Sequence, residues 1–101
     1  MRVMIRGHVD TVAGNEAIKG GKLPGLMDDL IEKLKPEAAY FGPSEGVRSF
    51  WIVCDLTDSS ALPALLEPLF FDLHAEVEVQ PVMNHEDMKK GMAATQHARK
   101  G

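Results

Sequence analysis

The chain predicts an α+β domain: a four-stranded sheet covered by helices on one face, in the order β-α-β-β-α-β, with a further C-terminal helix. Three observations predict it. Apolar residues alternate with a period of two over residues 2–9 and again over 74–82, as half-buried strands do. Residues 35–56 read as a helix end, a strand, a tight turn and a second strand, and that second strand is the most β-branched and aromatic run of the chain. Between these strands, residues 26–34 and 61–73 carry their apolar side chains at helical spacing or nearly throughout.

Residues 2–9 place Val3, Ile5, Gly7 and Val9 on one face and Arg2, Met4, Arg6 and His8 on the other. Asp10 or Thr11 caps a short helix through Ile18. Gly20-Gly21 and Pro24-Gly25 interrupt it, and a clear helix follows over 26–34. Asp28 and Asp29 then lie in its first turn, where they suit the helix dipole, and Pro36 stops it. Residues 37–42 form a short strand and 42–46 a turn. Residues 47–56 are apolar on both faces in their middle, as expected of a central strand. Phe50, Ile52 and Cys54 share the helix-facing side, and Ser49, Trp51 and Val53 the other.

Asp58-Ser59-Ser60 starts the helix 61–73. Pro63 suits its first turn, whereas Pro68 is expected to bend or split it. After the strand 74–82, Asn84 caps a last helix over roughly 86–95, and 96–101 is expected to be a flexible tail. Residues 1–95 thus make one domain with the split β-α-β order of ferredoxin-like folds. The first and third strands are expected to be central and parallel, with the second and fourth at the edges.

Composition narrows the function classes. At 101 residues, 45% hydrophobic and 26% charged, the chain is an ordinary globular domain with one core. A net charge of −4 with dispersed basic residues leaves no electrostatic footprint for nucleic acid. No run approaches the ~18 apolar residues of a membrane span, and the charged N-terminus does not read as a signal peptide. The single cysteine demands no oxidising compartment, so a cytoplasmic location is expected. The four histidines lack metal-ligand spacing, and the Gly20-Gly21-Lys22 segment lacks the spacing of a phosphate loop. Neither a metal nor a cofactor is expected. Cys54, on the apolar side of a central strand, reads as a buried inert thiol.

The face away from the helices carries Arg2, Met4, Arg6, His8, Tyr40, Trp51, Val53, Glu76, Glu78 and Gln80. That is too apolar at its centre for open water, and such patches mark interaction surfaces. A second copy packed sheet against sheet is the simplest cover, which predicts a homodimer. Two readings of its charges stand side by side. In one, Arg2, Arg6 and His8 form a ladder of cross-strand ion pairs with Glu76 and Glu78. In the other, His8 is a general base partnered by Glu76 or Glu78, Arg6 holds an anionic group of a small-molecule ligand, and Tyr40 and Trp51 line the site.

From the hairpin onward, the chain also resembles a known family. The residues are KPEAAYF, a turn with Gly46 and Arg48, a strand ending in Asp55, and then D-x-S-x-x-P-x-L-x-E-P-x-F from Asp58 to Phe70. Ala75-x-Val77-Glu78 and a helix start with Met83, Glu86 and Asp87 complete the set. Over about residues 15–88 this resembles a group of small bacterial proteins of the dimeric α+β-barrel superfamily, often labelled "panthothenate synthetase". The resemblance implies a homodimer of ferredoxin-like units. Nothing in the chain supplies the ATP site of a true pantothenate synthetase, and no catalytic residue carries over. The wider superfamily implies either cofactor-independent chemistry of the monooxygenase, isomerase or cyclase type, or a non-catalytic binding or scaffold role.

Overall fold

The computed structural model describes residues 1–100. Four strands, β1 (Arg2–His8), β2 (Ala38–Ser44), β3 (Val47–Asp55) and β4 (Glu76–Pro81), form one sheet in the order β2-β3-β1-β4. Helices α1 (Thr11–Lys19) and α2 (Leu23–Leu34) follow β1, α3 (Leu62–Leu73) follows β3, and α4 (His85–Lys100) follows β4. This is the ferredoxin-like βαββαβ arrangement with its first helix divided in two and a C-terminal helix added.

β1 and β3 are central, as expected, but they run antiparallel rather than parallel. The reason is local. The β2–β3 hairpin reverses the chain, so β3 must oppose β2. The crossover through α1 and α2 brings β2 back parallel to β1 with one strand's gap between them. β3 fills that gap and opposes both.

The core lies between one sheet face and the helices. Register pairs Val3 with Cys54, Ile5 with Ile52 and Gly7 with Phe50. These residues pack with Leu30 of α2 and Leu66, Leu69 and Leu73 of α3. Gly7 is required there: a Cβ on it would lie 2.2 Å from the Phe50 ring.

Helix starts follow their caps. Asp10 accepts from the Ala13 amide at 2.9 Å and begins α1. α2 begins at Leu23, earlier than expected, because Pro24 sits in the first turn, where its missing N–H costs nothing. Asp28 and Asp29 therefore lie beyond the first turn. A 3-10 turn, Ser59–Ala61, leads into α3, and the Ser60 hydroxyl donates to Asp58 and holds that carboxyl below its usual range. α3 continues through Pro68 without splitting. Asn84 and Asp87 cap α4 reciprocally, side chain to backbone, at 2.8 and 3.2 Å. α4 runs on to Lys100, past the expected end at residue 95, and Gly101 lies outside the described residues.

Candidate functional site

The sheet arranges its open face in rows. Tyr40 of β2, Trp51 of β3, Arg6 of β1 and Glu78 of β4 are successive cross-strand neighbours. The next row is Gly42, Ser49, His8 and Glu76. Four of the five candidate residues thus share one row, while His8 sits a row away at the end of β1.

The ion-pair ladder is absent in spite of this register. Among the described residues, no carboxylate lies within ion-pair distance of Arg6, and none from β4 pairs with His8 or Arg2. Arg2 pairs instead with Glu37 and Asp87, and His8 faces Glu45 at 3.8 Å. Glu76 and Glu78 stand exposed on an edge strand, where hydration competes well with a surface ion pair. The Arg6 Nε is buried without a hydrogen-bond partner. Tyr40 is largely exposed, whereas Trp51 is half-buried.

His8 has the most organised surroundings. Its Nδ1 lies 2.8 Å from Ser49 Oγ, a hydroxyl buried in the sheet. Ser49 Oγ also reaches the Val47 carbonyl at 3.1 Å and the Ser44 carbonyl at 3.5 Å. Carbonyls only accept, so the one hydroxyl proton goes to them and the oxygen accepts from His8 Nδ1–H. The lone pair of the neutral ring then sits on Nε2, the nitrogen that faces Glu45. A buried hydroxyl that fixes the tautomer and a carboxylate beside the other nitrogen together make an oriented acid–base group.

The backbone around His8 is unusual. Glu45 and Gly46 form the two-residue turn between the paired residues Ser44 and Val47, with φ of 54° and 80°. Such a turn favours Asn-Gly, yet a glutamate occupies the first left-handed position. His74, the C-cap of α3, is also left-handed at φ 46°. His8, Asp10, His74 and Glu76 line a cleft of about 180 Å³ at this end of the sheet. Strained positions gather at functional sites more than elsewhere.

An apolar groove of about 380 Å³ adjoins this cleft on the helix side of the sheet. Leu23 and Met27 of α2, Phe41 and Pro43 of β2, and Val9 and Phe50 form its walls. Val9 borders both spaces, and Ser49 lines the groove while holding His8. Among the described residues, Arg48 is the one charged residue lining the groove. Its Nη2 donates to Asn15 Oδ1 at 3.0 Å, and its Nη1 occupies the space that a Cβ on Gly14 would take. Among the described residues, no carboxylate pairs with Arg48.

Arg48, Ser49 and Glu45 are additions to the candidate site residues that the sequence offers. Arg48 carries a legible signal, because it shares parity with Phe50 and Ile52 and so puts a charge on the core-facing side of a central strand. Ser49 becomes meaningful only through its register opposite His8. The recess at Pro68, against α2, measures about 50 Å³, too small for a ligand site that ordinarily needs roughly 300 Å³ or more. Cys54 is 1% exposed, and burial first, then Asp55 and Glu37, push its thiol pKa up. Among the described residues, no three His, Cys, Asp or Glu side chains are grouped to hold a metal, and no helix is long and apolar enough to cross a membrane.

Compared with known proteins, the chain matches no family model and no curated protein.

Proposed function

We propose that the protein binds a small organic anion with an apolar body in the groove beside Arg48, and that it works as a homodimer joined through the open sheet face. The observation that carries the ligand reading is a single guanidinium with no carboxylate partner among the described residues, at an otherwise apolar groove of about 380 Å³. Pockets of this size that pair apolar walls with a few fixed polar groups are the usual form of a ligand site. Arg48 would hold the anionic end, since a guanidinium matches a carboxylate in bidentate geometry. His8, held by Ser49 in the adjoining cleft, is the acid–base group of this scheme, which fits cofactor-independent chemistry. The reading agrees with the resemblance to dimeric α+β-barrel proteins and puts the anion site at Arg48 rather than Arg6. Tyr40, Trp51, Arg6 and Glu78 belong in this scheme to the assembly face.

A thermal-shift series tests the ligand. Aryl and medium-chain carboxylates are compared with their neutral amides. A ligand at 100 times its Kd stabilises by ~2.7 kcal/mol, and ~1 kcal/mol moves the Tm of a domain this size by about 4–8 °C. Carboxylates should raise Tm, matched amides should not, and Arg48→Gln should abolish the shift. Equal shifts from acid and amide, or full shifts in Arg48→Gln, reject the anion site.

A non-catalytic binding role has one observation in its favour. The Ser49 proton is directed at backbone carbonyls, so Ser49 offers no activated nucleophile. His8→Gln separates the two roles: it abolishes turnover in an enzyme and leaves ligand affinity unchanged in a binder.

A further inference from the structure

Beyond the Arg2–Asp87 pair, the described side chains of α4 have little in their own copy to rest on. Met88 to Gln96 are exposed, and among the described residues none of α4 belongs to the core. A helix of this length is marginal in water without packing. The molecule measures 60 × 28 × 18 Å and has a radius of gyration of 16.7 Å, against about 13 Å for a compact domain of this length. Its surface of 6942 Å² exceeds by roughly 1,300 Å² the roughly 5,650 Å² expected at 11.1 kDa. A stable dimer needs about 800 Å² from each partner, so the excess is sufficient.

The helix leaves the sheet from its open side. Arg2 lies on that face and pairs with Asp87 in the first turn of α4. Met88, Gly91, Met92 and Thr95 recur at i, i+3, i+4 and i+7 and form the least polar stripe of α4. Among the described residues, Lys89 and Lys90 beside it pair with no carboxylate, and neither Glu76 nor Glu78 pairs with a cation. The two sets are complementary. The 16 residues of α4 span about 24 Å, the length of a seven-residue strand at ~3.4 Å per residue.

We propose that α4 is an exchanged arm, lying across the open sheet face of a second copy. Met88 and Met92 pack on the partner's Tyr40 and the partner's Val53, and Lys89 and Lys90 approach the partner's Glu76 and the partner's Glu78. The proposal rests on the homodimer reading above and names what covers the open face.

Light scattering after size exclusion tests it with two full-length variants, Met88→Glu/Met92→Glu on the arm and Tyr40→Glu on the sheet. All three positions are exposed, and far-UV circular dichroism with a melting curve checks that each variant folds. The natural chain should elute at about twice 11.1 kDa at micromolar concentration, and both variants should become monomeric with the strand and helix signal kept. If only the sheet variant dissociates, the sheets pack on each other directly; if only the arm variant dissociates, the arms pair with each other. Either result overturns the exchange while leaving the homodimer standing. A monomeric natural chain overturns both readings. As a second measurement, a copy bearing Tyr40→Cys is mixed with a copy bearing Met92→Cys under mild oxidation. A disulfide-linked heterodimer supports the exchange, and its absence from a mixture that is dimeric by light scattering overturns it.

Discussion

Phe50 and Gly7 show how closely single residues are matched. The ring occupies the place of a side chain at Gly7, so Gly7→Ala forces overpacking. The expected loss is about 1–3 kcal/mol, read as a lower urea midpoint. Cys54 illustrates burial acting on chemistry. Its thiol should resist a thiol reagent in the native protein and react once urea unfolds it. The raised thiol pKa also fixes a sign. Above the ordinary value of 9.0 the unfolded chain releases this proton while the folded one keeps it, so the thiol's contribution to stability is whole below pH 9.0 and declines as pH rises towards the folded pKa. Cys54→Ala, though less stable at neutral pH, should lack that part of the alkaline slope in urea titrations. At His8 the orientation depends on one hydroxyl. Nitrogen-15 NMR should find the Nδ1–H tautomer in the natural chain and lose that preference in Ser49→Ala.

At the scale of elements, the β2–β3 hairpin carries a conflict between stability and site. Glu45 holds a left-handed backbone that asparagine tolerates better. Glu45→Asn should raise stability by about 0.5–1 kcal/mol in urea titrations and remove the carboxylate facing His8. If the proposed acid–base role holds, turnover falls as stability rises. Asn84 is the counterpart at α4. Asn84→Ala removes a reciprocal cap worth ~1 kcal/mol and should lower the helical signal at 222 nm with little effect on the core, because no described side chain of α4 belongs to that core. α2 shows why a helix start is hard to place from sequence. Pro24-Gly25 looks like an interruption, but a proline in the first turn forfeits no hydrogen bond. Pro68 is the opposite case, an interior proline in a helix that nevertheless continues, with Leu66, Leu69 and Leu73 packed in the core around it.

The whole molecule is a compact sheet-and-helix body with a long appendage. In the dimer proposed above, folding and assembly are linked, so Tm should rise with protein concentration over a hundredfold range. A Tm independent of concentration would argue against the dimer. In the proposed scheme the open face and the groove divide the work. The row Tyr40, Trp51, Arg6 and Glu78 is available for assembly, while Ser49 links the cleft of His8 to the groove of Arg48. Arg6→Gln should therefore affect assembly more than ligand binding, and Arg48→Gln the reverse, as compared by light scattering and thermal shift.

The sequence by itself determined the elements, their order and the two faces of the sheet. Alternation in β1, β3 and β4 sets which side chains point to the core, and caps at Asp10 and Asn84 set where α1 and α4 begin. These are local effects, governed by neighbours within a turn or a strand. Tertiary structure decided what stands opposite what. The antiparallel β1–β3 pairing, Ser49 beneath His8, Arg2 drawn to Glu37 and Asp87, and the groove walled by α2 and β2 all join residues distant in the chain. Side-chain periodicity fixes a face, but the partner across a strand depends on register, and register is set by the turn and by the closed packing of the core.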